Sequence, residues 1–308
     1  MVNFDNNGYD GSQALELTEK QFLGIITAMA GGHNLLAYGA PGEGKTYTCS
    51  MLHWLKPNMT DETAGTTDRI YKIAGLQPNG DVAPFRTPHP TSSIEGMCGG
   101  GPNIMPGEVS LANGGVLFLE EASEFRTSVV QMLRVALENR SITLSRAGRS
   151  TTYPADFQLM MTMNPCPCGN YGTNEKICLC SARTVEQYWK KIGDPLLDRI
   201  EIRLEFNKTD NEKQKYSLDK LRKIISVAVE RQLARGNFNS HLGPCELTEI
   251  KFEAGAYEKF DKLFGHVSSR RRGNVLKLCR TLADLEMSDY VTIENIKDAE
   301  KLNRFDLV

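Results

Sequence analysis

Eight consecutive residues limit what this chain can fold into more than any other feature. Gly39-Ala40-Pro41-Gly42-Glu43-Gly44-Lys45-Thr46 fits the pattern G-x-x-x-x-G-K-[ST] at every fixed position. It lies between the short apolar run Asn34 to Tyr38 and a helix-forming stretch, Lys45 to Lys56. Strand, glycine loop and helix in that order aim backbone N–H groups and the positive end of a helix at one point, which suits a phosphate. Lys45 would then reach the β and γ phosphates as a point charge, and Thr46 would ligate Mg²⁺. The expected nucleotide contacts are Gly39, Pro41, Gly42, Glu43, Gly44, Lys45, Thr46 and Tyr47. The bland alternative is a glycine-rich turn that binds nothing, and the flanking strand and helix weigh against it.

A loop of this kind needs a parallel sheet behind it, and the chain supplies further strands. Val116-Leu117-Phe118-Leu119 is an apolar run that delivers Glu120 and Glu121 at its C-terminal end, where open α/β sheets bind ligands. One acid suits the metal and the other the attacking water. An extra methylene in Glu120, compared with Asp, moves its carboxylate by about a bond length. Phe157 to Met163 reads as another central strand, ending in Asn164, whose amide can orient a water or a γ-phosphate. Ile200 to Phe206 is expected to be a fourth strand. Residues 127 to 139 read as a helix with Val129, Val130, Leu133 and Leu137 on one face, and Ile142 to Tyr153 as a β-hairpin around Gly148. From Gln214 onward the pattern is helical, and Thr292 opens a final helix.

The predicted fold is α/β: a P-loop core with a central parallel sheet flanked by helices, plus a C-terminal α-helical lid. The expected boundaries are a loose arm over 1–16, a core over 17–207 and a lid over 208–308. Within the core, 78–113 and 142–153 are read as insertions and 166–180 as a cysteine knuckle. At 308 residues, 40% hydrophobic and 24% charged, the composition is that of a globular protein and excludes collagen-like and coiled-coil classes. A net charge of −2 creates no global attraction to nucleic acid or anionic lipid, so any such binding must be local. No apolar run approaches the ~20 residues needed to cross a bilayer, and the N-terminus lacks a basic leader, so a cytoplasmic protein without membrane contact is expected.

Four of the eight cysteines crowd into one stretch: Cys166-Pro-Cys168, then Cys178-Leu-Cys180. Closely spaced thiolate pairs suit a tetrahedral structural Zn²⁺ site. A redox-sensitive pair of disulfides or four buried free thiols are the alternatives. Cys49, Cys98, Cys245 and Cys279 read as core or incidental thiols.

Taken together these motifs resemble the AAA+ ATPases of the magnesium-chelatase-like group, and within it the competence-associated type. Beyond the glycine loop, the matching stretches include Pro84-Phe85-Arg86-Thr87-Pro88-His89, Gly99-Gly100-Gly101, Pro106 to Ala112, Gly115 to Glu121, Asn164 to Gly169, Pro195 to Ile200 and Arg280 to Leu285. The resemblance implies a homo-oligomeric ring, usually a hexamer, with nucleotide sites between subunits. It implies ATP and Mg²⁺ as cofactors, Glu121 and Asn164 as catalytic, Glu120 with Thr46 at the Mg²⁺, Arg199 as an arginine finger acting in trans and Arg270 as the lid arginine. A surface arginine capping a helix is the plainer reading of Arg199 and Arg270. Insertions of this kind face the ring pore, where Arg86, His89, Arg146 and Arg149 could touch the phosphates of DNA, or equally form interface ion pairs.

Three features depart from the group's pattern: Leu17-Thr18 stands where Gly-Gln is usual, Pro90 where a second His follows, and Glu120 where the group has Asp. The group's N-terminal Lon-protease-like domain is not expected here, its place taken by a separate partner protein or by nothing. The function this implies is an ATP-driven ring motor on DNA of the helicase or branch-migration kind. The alternatives are an ATPase that remodels a protein partner, as a magnesium-chelatase subunit or a MoxR-like chaperone does, and a slow nucleotide-gated scaffold.

Overall fold

The computed structural model describes residues 2–5, 9, 12–172, 176–207 and 212–304. The chain divides into two compact units, one chiefly Leu36–Arg199 and the other chiefly Gly8–Leu35 with Ile200–Val308.

In the first unit, Gln158–Met163 lies between Leu35–Gly39 and Val116–Leu119, and Phe85–Arg86 flanks Val116–Leu119 on its far side. Val116–Leu119 pairs in parallel with both Gln158–Met163 and Phe85–Arg86. Every residue of Leu35–Gly39, Val116–Leu119 and Gln158–Met163 is buried. A parallel strand covered on both faces is apolar throughout, so these segments read as continuous hydrophobic runs. Lys45 to Lys56 is not one helix: Lys45–Met51 is α-helical and Leu52–Leu55 forms a 3₁₀ turn. The helix Asp61–Ile73, capped by Thr60, gave no clear sequence signal. Thr127–Asn139 forms as expected, although Ala136 joins Val129, Val130 and Leu133 on its buried face and Leu137 does not. The hairpin Ser141–Arg146 with Arg149–Pro154 turns at Ala147-Gly148 and pairs Arg146 with Arg149 across its tip.

The glycine-rich stretch before Val116 is ordered into short pieces. Ile94–Cys98 is helical, Gly99–Gly100 pairs antiparallel with Met105–Pro106, and Glu108–Leu111 forms one further helical turn.

The second unit departs from the expected boundaries. Ala14–Leu17 is a strand that crosses the end of the supposed arm, and it pairs antiparallel with Gln214–Ser217, a segment expected to be helical. Tyr216 is buried there and its ring stacks on Phe22 at 4.4 Å. Ser217 then caps the long helix Leu218–Ala234. The helix Glu19–Gly31, opened by a Thr18–Gln21 capping box, belongs to this unit and not to the core as expected. Ser269–Leu285 and Ile293–Asn303 complete the helical set, with Thr292 capping the last helix as the sequence predicts. The strand expected from Ile200 begins at Ile202 and ends at Phe206. No helix among the described residues is long and apolar enough to cross a membrane.

Candidate functional site

Gly42 and Gly44 both have φ of +83°, a left-handed conformation that an L side chain rarely adopts. A Cβ built on either would meet nothing within 4 Å, so the outer side of the loop is open while its conformation demands glycine. Lys45 follows at the start of its helix and is only 8% exposed. Its ammonium donates to the carbonyls of Gly39 at 2.6 Å and Ala40 at 2.7 Å. Burial pushes the Lys45 pKa down, and the charges of Glu43 and Glu121 act against that shift. Glu43 is buried, Thr46 is half-buried, and Tyr47 is exposed.

The two sheet strands beside the loop bring their end groups to the same edge. Leu119 pairs with Met161, so the chain leaves Val116–Leu119 at Glu120-Glu121 level with the end of Gln158–Met163 at Asn164. Asn164 Oδ1 lies 3.4 Å from Lys45 Nζ. The N–H of Glu121 donates to Thr162 Oγ1 at 3.0 Å, holding this residue at φ +51°. Glu121 is exposed, while Glu120 is half-buried. The loop, Lys45, Glu121 and Asn164 thus share one corner of the fold.

Tyr188, on the helix Ala182–Lys190, carries no motif and was missed by the sequence reading. Its hydroxyl shares a 2.7 Å hydrogen bond with Ser123, two residues beyond Glu121. Burial pushes its pKa up, opposed by the bond to Ser123, with Glu124 and Glu121 adding to the rise.

The two expected arginines sit differently. The Arg199 guanidinium donates to Pro195 O at 2.5 Å and to Glu138 Oε2 at 2.5 Å, and its side chain is 10% exposed. Arg270 is exposed in the first turn of the helix Ser269–Leu285, in the other unit. Of the four DNA-contact candidates, Arg86 is occupied: its fork meets Glu108 through two bonds of 2.7 and 2.8 Å. That bidentate pair, more than any other interaction, pushes the Arg86 pKa up. His89 is exposed and its Nδ1 lies 2.8 Å from Thr91 Oγ1. Arg146 and Arg149 are both exposed at the hairpin tip and form no ion pair among the described residues.

The cysteine knuckle is drawn together. No disulfide joins any of the eight cysteines. The Sγ atoms of Cys166, Cys168, Cys178 and Cys180 all lie within 4.8 Å of one another. Three of their separations are 3.3, 3.6 and 3.8 Å. A tetrahedron of thiolates at about 2.3 Å from one ion has edges of about 3.8 Å, so this set could hold a metal. The thiols titrate together: the backbone N–H of Asn170, ahead of the neighbouring thiols, brings Cys168 down to about 6, whereas, against backbone hydrogen bonds, the neighbouring thiols push Cys178 and Cys180 up. Of the remaining four, Cys49, Cys98 and Cys279 are buried and Cys245 is exposed.

The sequence profile described as magnesium chelatase, subunit ChlI, matches residues 16–214, and that of the subunit's C-terminal region matches residues 216–302. The chain is 35% identical over 298 residues to the uncharacterized protein YifB of Escherichia coli, a match spanning 92% of this chain and 58% of that protein. It is 34% identical over 319 residues to the competence protein ComM of Haemophilus influenzae, spanning 94% of this chain and 60% of ComM. A further match, 38% identical over 190 residues, is an uncharacterized protein of Mycobacterium bovis, covering 60% of this chain and 37% of that one. This chain therefore spans less than two thirds of the length of each of these relatives.

Proposed function

This chain belongs to the magnesium chelatase ChlI family of AAA+ ATPases, and from that premise we propose that it hydrolyses ATP as a homo-oligomeric ring motor acting on DNA. The convergence of Lys45, Glu121 and Asn164 beside an open glycine loop carries this reading. The residues fit the expected group: open space lies over Gly42 and Gly44, and a buried ammonium lies behind it. ATP supplies the phosphoryl group and Mg²⁺ the charge neutralisation when both are bound.

Each residue then has a task of its own. Backbone N–H groups of Gly42 to Thr46 bind the phosphates, and Lys45 exchanges its carbonyl partners for an anion, which a cation held among neutral acceptors favours. Thr46 Oγ1 and the Glu120 carboxylate hold the metal ion. The Glu121 carboxylate takes the proton of the attacking water, and the Asn164 amide orients that water. Arg199 would supply charge to a neighbouring subunit's site by leaving Glu138, and Arg270 would serve as the lid arginine that senses the γ-phosphate. The cysteine set takes Zn²⁺ as a structural ion.

Arg146 and Arg149, exposed together at the hairpin tip with His89 a further candidate, are assigned to DNA phosphates. Arg86 is left out of that assignment because Glu108 holds its fork. The test is ATP turnover by purified protein with and without single-stranded and forked DNA, beside Lys45→Ala. Stimulation by DNA that disappears in Lys45→Ala supports the motor. Turnover indifferent to DNA would replace it with a protein-remodelling ATPase, and ATP binding without turnover would make the ring a switch.

A further inference from the structure

We propose that the metal ion of the cysteine knuckle controls the nucleotide affinity of the phosphate loop, by clamping together two segments that both press on the nucleotide corner. This rests on the phosphate-loop reading above.

The first jaw is the turn that follows Asn164. Cys166 and Cys168 stand two and four residues beyond that amide, and Gly169 N donates to Cys166 O at 3.0 Å to close the turn. Gly169 is buried with φ of +78°, and a Cβ there would lie 2.7 Å from Cδ and 2.8 Å from Cγ of Pro41. Bare glycine backbone is thus packed directly on the proline of the phosphate loop. Whatever moves this turn moves Pro41 and Asn164 together.

The second jaw is the start of the helix Ala182–Lys190. Cys178 and Cys180 lead straight into it, and Ser181 caps it by accepting Thr184 N at 3.2 Å. Its far end reaches the same corner. Trp189 Nε1 donates to Pro165 O at 3.0 Å, and its ring meets the edge of Tyr38, on the strand entering the loop, at 5.9 Å. Tyr188 bonds Ser123 in the turn after Glu121.

Between the jaws, the described residues from Gly169 to Ser181 form neither helix nor strand. Without an ion, thiol contacts of 3.6 and 3.8 Å join Cys178 to Cys168 and Cys166, whereas a divalent ion held by all four sulfurs would cross-link both jaws. Metal occupancy therefore fixes the positions of Asn164 and Pro41 against the loop. Coupling of two binding events is reciprocal, so nucleotide must tighten retention of the ion by the same factor.

The experiment uses the full chain loaded with Co²⁺, whose visible absorption reports tetrahedral thiolate ligation, and a fluorescent non-hydrolysable ATP analogue. Stripping the ion with a chelator that spares Mg²⁺ is expected to weaken analogue binding about tenfold, with recovery on adding Co²⁺ back. Gly169→Ala, read in the metal-loaded state, is expected to keep the absorption spectrum and lose analogue affinity, because its methyl displaces Pro41. Cys245→Ser, exposed and outside the set, should change neither. Absence of a thiolate–cobalt spectrum would overturn the metal site. An ion that binds and leaves analogue affinity unchanged on removal, with Gly169→Ala also unchanged, would overturn the coupling while leaving the nucleotide reading intact. A chain that binds no analogue in any state would overturn the nucleotide reading, and the coupling with it.

Discussion

Replacing Asp284 with Asn removes one charge from a site built around it. Asp284 is fully buried in the helical unit, near the end of the helix that carries Arg270. Its Oδ1 accepts from Arg280 at 2.9 Å, Arg235 at 2.9 Å and Arg231 at 3.4 Å. Its Oδ2 accepts from Asn239 at 2.8 Å and from Arg235 again. Asn would keep the volume, present an N–H₂ toward donors and leave three guanidinium groups facing a neutral amide. Breaking a buried ion pair from one side costs about 3–5 kcal/mol. Arg231 and Arg235 are 28% and 41% exposed, so water recovers part of their charge, and the lower end, about 3 kcal/mol, is expected. At about 2–4 °C per kcal/mol, the midpoint of thermal unfolding should fall by roughly 6–12 °C.

Burial alone would raise the Asp284 pKa, but the Arg235 hydrogen bond, the Arg280 charge and Asn239 together hold it below its usual 3.8. A lowered carboxylate contributes stability that is complete above the unfolded value and lost as pH falls through the folded one. The gap between wild type and Asp284→Asn should therefore stay constant from about pH 8 to pH 5 and close only below about pH 4. Melting curves by circular dichroism at several pH values measure both quantities. A variant melting within about 2 °C of wild type, or a gap that already narrows between pH 8 and 5, would refute an ionised hub at this position.

Glu121→Gln should keep ATP-analogue binding and lower turnover by about 10²–10⁴, the loss expected on removing a general base; an unchanged rate would assign the proton to another group. Replacing both Arg146 and Arg149 by Ala should leave DNA-free turnover intact and reduce the slope of log affinity against log salt by about 0.7 per arginine on single strands, measured by fluorescence anisotropy. His33 is buried against Thr281 at 2.8 Å, and burial, aided by Lys277 and His241, brings its pKa down to about 3. Because the unfolded chain binds a proton there first, His33 contributes stability that is full above 6.5 and is lost as pH falls toward 3. Denaturant titration should show that loss in wild type and a flatter acid limb in His33→Gln.

The corner shared by the glycine loop, Glu121 and Asn164 was legible because what forms it is local. The glycine loop needs only its own backbone, and Glu121 and Asn164 each sit at the end of a strand buried on both faces, which leaves an unbroken apolar run in the sequence. The hairpin was legible for a similar reason, since Ala147-Gly148 supplies its turn and Arg146 faces Arg149 across it. What could not be read is what depends on distant partners. Gln214–Ser217 is a polar strand with one buried residue, Tyr216, and only its pairing with Ala14–Leu17 defines it. The same holds for Arg86 with Glu108 and for Arg199 with Glu138: nothing local separates an arginine held by a carboxylate from one waiting for phosphate. Tyr188 is the converse case, an aromatic residue on an amphipathic helix that resembles any core residue until the fold brings Ser123 to its hydroxyl. The division into units follows the same logic. The helix Glu19–Gly31 precedes the phosphate loop in the chain, yet Gln232 donates to the carbonyl of Ala30 and His33 meets Thr281, contacts that tie residues before the loop to the C-terminal helices. A boundary drawn along the sequence cannot see them, and for that reason a substitution at His33, outside the glycine loop, is a more demanding test of this fold than one in the loop.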